Sequence, residues 1–248
     1  MGRSLATALT RDRLKQYIRG SQVNCNSSLL RSVELGDEPL PPDQAALLAI
    51  DLHRNFISRL PRTLPFPRLT TLDLSCNEFV EFPVLHIPTL RSLSLAHNRL
   101  SGYGPLTGLP QLTHLDLRSN KIHTLDVAAL APVAATLEWL SLSSNGITAV
   151  LLASSSSSGP ATVFPRLQTV SLFGHNLSAE VLGQLLAGDR VPRLRVLVAG
   201  LPLGGGGPST TSECHRLDPA AAAAVPAWVP PSVRWLDWTF IPPPEDRG

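Results

Sequence analysis

Seven histidines, three cysteines and nineteen acidic residues are the groups in this 248-residue sequence best suited to ligating a metal, moving a proton or attacking a substrate. Two pairs stand out: Asp51 with His53, and His114 with Asp116. Residues two apart in an extended segment share one face. Each pair therefore sets an imidazole beside a carboxylate, the donor types that hold zinc. A metal site needs a third clustered ligand, and the sequence offers none to either pair, so no metal is expected. Cys76 has no histidine or other base fixed beside it and reads as a small semi-buried residue. The sequence contains no phosphate-binding loop, HExxH or GxSxG. Gly102-Tyr103-Gly104-Pro105 is a proline-broken turn, and Gly204 to Gly207 lacks the lysine and following helix that phosphate binding requires. No catalytic residue, no enzymatic activity and no cofactor are expected.

Both acid–histidine pairs lie inside a phrase that recurs five times. It reads Leu47-x-x-Ile50-x-Leu52-x-x-Asn55, then Leu69, Leu72, Leu74 and Asn77, then Leu90, Leu93, Leu95 and Asn98, then Leu112, Leu115, Leu117 and Asn120, then Leu137, Leu140, Leu142 and Asn145. A further apolar residue follows two positions after each asparagine: Ile57, Phe79, Leu100, Ile122 and Ile147. The asparagine slots are 22, 21, 22 and 25 residues apart. Such spacing leaves room for a short strand, a turn, and an extended or 3₁₀ segment, but not for a full helix in every coil. The prolines agree, because proline cannot donate to a strand ladder. None of the 23 falls in the seven residues that open a repeat, whereas Pro61, Pro65, Pro67, Pro83, Pro88, Pro105, Pro110 and Pro132 lie in the return segments.

The phrase resembles the leucine-rich repeat, and its length is similar to that of the intracellular 22-residue class. That class includes the nuclear regulator of protein phosphatase 1, the U2 A-prime protein and axonemal adaptors. The resemblance implies an α/β fold: a right-handed solenoid, or horseshoe, of about nine coils with a parallel concave sheet and a helix-poor convex side. It also implies a non-enzymatic adaptor or structural subunit that binds a partner protein on its concave face, within a larger intracellular assembly. An RNA-processing subunit like U2 A-prime, a phosphatase regulatory subunit and a mitochondrial or ribosomal assembly component are the alternatives.

Within each phrase the leucines are expected to point inward, so that stacked coils share one core. Asn55, Asn77, Asn98, Asn120 and Asn145 are expected to form a structural ladder, since one amide offers two donors and an acceptor to backbone groups freed where a strand turns. The positions left over line the concave surface. Its middle stripe reads Glu34, Asp51, Asp73, Ser94, Asp116, Ser141, Ser171, Val198 and Asp237. The flanks carry His114 and Trp139 on one side, and His53, Arg118 and Phe173 on the other. Asp51, His53, Asp73, His114, Asp116, Arg118, Trp139 and Phe173 are thus the candidate partner-binding residues, with acidic groups meeting a basic or hydrogen-bonding segment and aromatic groups anchoring apolar ones. A solvated acidic face is the plain alternative for the aspartates, and cover by a neighbouring loop for the rings.

Residues 1–29 read as a basic arm with a capping helix from Arg11 to Arg19, in which Thr10 caps, Gly20 stops, and Leu14, Tyr17 and Ile18 share one face. The arm is Arg-rich and acid-poor, which is also the composition of a mitochondrial import signal. Six basic residues against Asp12 put +5 on residues 1–31 of a chain whose net charge is +2, leaving −3 on the rest. The solenoid is expected over 30–248, beginning with a degenerate repeat, Leu30-x-x-Val33-x-Leu35. It would contain a Ser-rich loop at 153–159, a helix from Ser178 to Leu186, a Gly-rich loop at 203–210, helical turns at Ala220 to Ala224, and a Trp-bearing cap at 228–241. Cys25, Cys76 and Cys214 are widely separated, which fits a reducing compartment. No apolar leader or membrane span is expected. The expected localisation is cytoplasmic, including cytoskeletal or axonemal settings, with the nucleus and the mitochondrion as alternatives. The concave face is acidic and the basic residues lack interleaved aromatics, which argues against direct nucleic-acid binding, though a ribonucleoprotein context stays open.

Overall fold

The computed structural model describes residues 8–36, 40–152, 162–175, 177, 179–187, 189–198, 215–216, 230, 232–233 and 235–237. The second and third apolar slots of each phrase decide the architecture. A three-residue strand carries the second leucine inward between two outward neighbours, and the third leucine follows as the chain bends. The strands are β3 (Gln22–Asn24), β5 (Ala49–Asp51), β6 (Thr71–Asp73), β7 (Ser92–Ser94), β8 (His114–Asp116), β10 (Trp139–Ser141), β12 (Thr169–Ser171), β13 (Val196–Val198) and β15 (Trp235–Asp237). They pair in parallel in that order, with Ile50, Leu72, Leu93, Leu115, Leu140 and Val170 in register. Antiparallel β2 (Ile18–Arg19) and β14 (His215–Arg216) close the two ends of the eleven-stranded sheet. The leucines of the five phrases are buried in one continuous core, with Phe66, Phe79, Phe82 and Phe164 packed behind them. The sheet, core and stacked coils are those of an α/β solenoid.

Strands stop after three residues for a local reason. In successive coils Ser27, Arg54, Cys76, His97, Ser119 and Ser144 have φ of 54, 55, 55, 55, 54 and 56°, and Gly174 has φ of 83°. Each stands just before the asparagine slot. A left-handed residue cannot continue a strand, so the backbone turns there in every coil. The return segments contain little helix among the described residues: α2 (Pro42–Ala45), a 3₁₀ helix (Ala128–Val133) and α3 (Ala179–Leu185), the last within the expected span.

The N-terminal end departs from the sequence reading in two respects. Helix α1 runs only over Arg11–Tyr17, and the Thr10 side chain makes no capping hydrogen bond. Ile18 and Arg19 instead form β2, which turns through Gly20 (φ +61°) and Ser21 into β3. Glycine supplies the positive φ that a two-residue hairpin turn requires. The first strand of the large sheet is accordingly Gln22–Asn24, and a boundary after residue 29 falls inside that coil. The expected first strand, Ser32–Glu34 (β4), pairs in parallel with β1 (Ala8–Thr10) in a separate two-stranded sheet. Glu34 is therefore not on the main sheet. The same secondary pairing recurs farther along, where β9 (Thr124–Asp126) pairs with β11 (Ala149–Leu151). Helix α1 closes the end, with Leu14 buried and Tyr17 half-buried against the core. The expected serine loop, glycine loop and helical turns at Ala220 to Ala224 lie outside the described residues, as do Trp238 and Phe240; of the cap, Trp235 is placed as backbone in β15.

Candidate functional site

Polar groups on the sheet divide into those that hold the coils together and those that face outward. The asparagine side chains belong to the first set and are all buried. Asn98 shows the pattern: Nδ2 donates to the carbonyls of Leu74 and Leu95, both at 3.0 Å, and Oδ1 accepts the Phe79 N–H at 3.1 Å. Asn77, Asn120 and Asn145 repeat it one coil at a time. Asn55 reaches back to the Cys25 carbonyl at 2.9 Å and takes the N–H groups of Ser28 and Leu30. Cys25 thus fills a leucine slot and Ser28 an asparagine slot, and burial pushes the Cys25 thiol up to about 12, with the Asp51 charge adding to the effect.

Asp51, Asp73 and Asp116 occupy the middle stripe and are half-buried, with Asp51 and Asp73 directly paired. Each also braces the turn that follows it, accepting the N–H of the residue two positions on: His53 at 2.9 Å, Ser75 at 2.8 Å and Arg118 at 3.1 Å. One carboxylate oxygen per residue is thereby engaged, so part of their role is local architecture. Burial raises the Asp116 carboxyl above its ordinary value, opposed by the Arg118 backbone N–H and by the charges of Arg118 and His97. The Arg118 side chain closes on it, with Nε 3.3 Å from Oδ2.

The Ser75 hydroxyl lies between Asp73 Oδ1 and His53 Nδ1, the latter at 2.8 Å. Serine, histidine and aspartate are here joined in the wrong order for nucleophilic catalysis, which needs the base on the serine and the acid behind the base. The carboxylate accepts the serine proton, leaving His53 Nδ1–H to donate to the hydroxyl. Among the described residues, no three of histidine, cysteine, aspartate and glutamate gather into a metal-holding group.

His114 and Trp139 face each other from paired positions on β8 and β10. Their rings stack with centroids 6.4 Å apart and planes 23° from parallel. His114 is exposed and Trp139 half-buried, so the indole presents part of its surface at the border of the sheet where it meets His114. Phe173, also half-buried, stands four positions beyond Thr169, the residue paired with Trp139. At 3.3 Å per residue that is up to about 13 Å along the strand direction, which puts the two rings at opposite borders of the sheet. The eight candidates thus form one group of Asp51, His53 and Asp73 on adjacent coils and, beyond the serines of β7, a His114–Trp139 stack at one border, Asp116 in the middle stripe, and Arg118 and Phe173 at the other border.

The chain is similar in part to leucine-rich-repeat proteins. The profile described as "Leucine Rich repeats (2 copies)" matches residues 88–130. Tsukushi of Mus musculus is 37% identical over 106 residues, which are 40% of this chain and 30% of that protein. The chain therefore spans less than a third of the length of this curated relative. Among solved structures, the leucine-rich-repeat domain of APL1 superposes with a TM-score of 0.52 and 22% identity, covering 79% of this chain and 59% of that one. An internalin of Listeria monocytogenes gives a TM-score of 0.44 at 20% identity, over 73% of this chain and 52% of its own. The chain has the fold of a leucine-rich-repeat solenoid.

Two features of the solenoid face escaped the sequence reading. Its first row is Gln22, Asn24 and Asn26 in place of Ser32, Glu34 and Gly36, since Gln22, Val23 and Asn24 pair with Ala49, Ile50 and Asp51. The signal was Val23-x-Cys25-x-x-Ser28-x-Leu30, obscured because Gly20 stands where the first leucine belongs. The other feature is Ser75, buried among the acid–histidine groups and visible only once adjacent coils are in register.

Proposed function

We propose that the solenoid is a non-enzymatic interaction module, an adaptor or structural subunit that docks a partner protein on the concave face of its large sheet. The observation that carries this reading is the His114–Trp139 stack. A partly open indole is stacked on an exposed imidazole, on a sheet surface whose adjacent coil also carries an engaged acid–arginine pair, which is the composition of an interface anchor with a polar surround. From β5 to β10 is four strand steps, so Asp51, Asp73, Asp116 and Trp139 present a strip about 19 Å long at 4.8 Å per step. The partner suited to it carries basic or hydrogen-bonding groups toward the β5–β6 end and an apolar side chain over Trp139, with Phe173 met by a segment crossing the sheet.

An intracellular assembly is part of the proposal. It is supported by the free thiols of Cys25, which is buried, and Cys76, which is half-buried, neither cross-linked. The test is affinity purification with the unmodified chain and with the separate variants Trp139→Ala and Asp73→Lys, followed by titration of the recovered partner. The reading requires Trp139→Ala to weaken binding by tenfold or more, about 1.4 kcal/mol, with the solenoid still folded by circular dichroism. Unchanged affinity in both variants overturns it.

A further inference from the structure

A second surface, away from the sheet face, is built from arginine. Coils seven and eight approach their strands through the same local sequence, Pro165-Arg166-Leu167 and Pro192-Arg193-Leu194. Thr169 is paired with Val196, so Arg166 and Arg193 hold equivalent positions on neighbouring coils. Arg195 donates its backbone N–H to the Gln168 carbonyl at 2.8 Å, and the Arg190 carbonyl accepts the Phe164 N–H at 2.7 Å. Four arginines are thereby fixed along one loop edge, ahead of β12 and β13. Arg166, Arg193 and Arg195 are exposed. Arg190 is half-buried, and its Nη1 is sealed from solvent with no hydrogen-bond acceptor among the described residues.

Such an arrangement leaves the electrostatics unfinished. Between residues 162 and 198 the four arginines face only Glu180 and Asp189 in sequence. Among the described residues the ion pairs are Arg99 with Glu78 and Arg118 with Asp116, and neither includes this edge. Stacking the coils holds like charges on backbones about 4.8 Å apart. The sealed Arg190 Nη1 adds a desolvation cost, and the exposed side chains of Arg166, Arg193 and Arg195 around it are open to an incoming oxyanion. The side chain beside these groups is Val163, 41% exposed, while Phe164 beneath is buried. Among the described residues no exposed ring lies there for a base to stack on, which disfavours single-stranded nucleic acid and suits a peptide combining carboxylates with an aliphatic side chain.

We propose that Arg166, Arg190, Arg193 and Arg195 form a docking edge for an acidic segment of a partner protein, with Glu or Asp side chains bridging coils seven and eight and an aliphatic residue against Val163. This edge stands independently of the concave face, because the residues and the sign of the charge both differ.

The test uses the full chain and a fluorescein-labelled peptide of alternating Glu and Leu, followed by anisotropy at low and high ionic strength. The comparison probes are the same peptide with Lys for Glu and a labelled single-stranded oligothymidine. The expected result is binding of the Glu peptide alone, weakened by salt and by about tenfold or more in the double variant Arg166→Glu/Arg193→Glu. Asp73→Lys should leave it unchanged, which separates this site from the sheet face. Both arginines are exposed, and circular dichroism of the double variant checks that it is folded. Absence of Glu-peptide binding, its persistence in the double variant, or tighter binding of the oligothymidine overturns the proposal.

Discussion

His175 closes the asparagine ladder by reaching the Leu142 carbonyl with Nε2 at 2.8 Å, while its Nδ1 accepts the Ile147 N–H at 3.1 Å. The imidazole thus serves both the acceptor and the donor that an asparagine would serve, but only when neutral and protonated on Nε2. Burial lowers its pKa from the ordinary value of 6.5, opposed by the hydrogen bond to Leu142. A proton taken up by the unfolded chain is then refused by the folded one. The associated stability is complete above the unfolded value and is lost as pH falls from about 6.5 toward the lower folded value. Urea unfolding between pH 7.5 and about 5 should show this decline, and His175→Asn should abolish that part of it. An equally steep decline in the variant would assign the acid sensitivity elsewhere.

The ladder itself is testable at Asn98. Substitution by alanine removes acceptance of the Phe79 N–H and donation to the Leu74 and Leu95 carbonyls at a buried position. Leaving buried groups unpaired costs about 1–3 kcal/mol each, so Asn98→Ala should lower stability by at least about 2 kcal/mol in chemical denaturation. Arg99→Ala one residue later removes only an ion pair to Glu78 at 3.7 Å between partly exposed side chains, and should change stability by less than about 0.5 kcal/mol.

The five phrases from Leu47 to Asn145 disclose the sheet, the core and the ladder because each coil repeats one solution to one packing problem. The first coil was illegible because a cap must break the pattern. Gly20 displaces the first leucine to make a hairpin, Cys25 replaces the third, and Ser28 takes the asparagine slot. Leu30, Val33 and Leu35 are apolar and buried, so they imitate a phrase although their strand pairs with β1. At the candidate face, Trp139 and the aspartates followed from slot counting. The His114–Trp139 stack, the Ser75 bridge and the Asp116–Arg118 contact depend on side chains meeting within and across coils, which spacing alone leaves undetermined. The arginine edge is not legible from slot counting, because it lies in the loop positions ahead of β12 and β13, outside the repeated phrase.

Cysteine reactivity provides a check on the corrected N-terminal coil. Cys25 is fully buried in a leucine slot with its thiol pushed up to about 12, whereas Cys76 is half-buried at the turn after β6. Thiolate is the reactive form, so iodoacetamide at pH 8 should modify Cys76 in the native protein and leave Cys25 untouched until urea unfolds the chain. Peptide mapping by mass spectrometry distinguishes the two sites. Native modification of Cys25 at the rate of an unfolded thiol would remove it from the core and undo the assignment of Gln22–Leu30 as the first coil.

Gly108 tests how closely the return segments of adjacent coils approach. A Cβ added there would sit 2.0 Å from the Leu85 carbonyl oxygen and 3.0 Å from His86 Cα, both backbone atoms of the preceding coil. The Gly108 carbonyl also accepts the Ile87 N–H at 3.0 Å, so the two segments cannot part without loss of that bond. Its φ lies outside the left-handed region, which makes the effect of a side chain steric rather than conformational. Gly108→Ala should destabilise by about 1–3 kcal/mol, as overpacking does where neither wall can yield. Gly102→Ala is the control, because a Cβ there meets nothing within 4 Å and the backbone conformation is ordinary. That substitution should be neutral or mildly stabilising, since it reduces the entropy of the unfolded chain. Equal denaturation midpoints for Gly108→Ala and Gly102→Ala would mean that the coils stack more loosely than the Leu85–Gly108 approach requires.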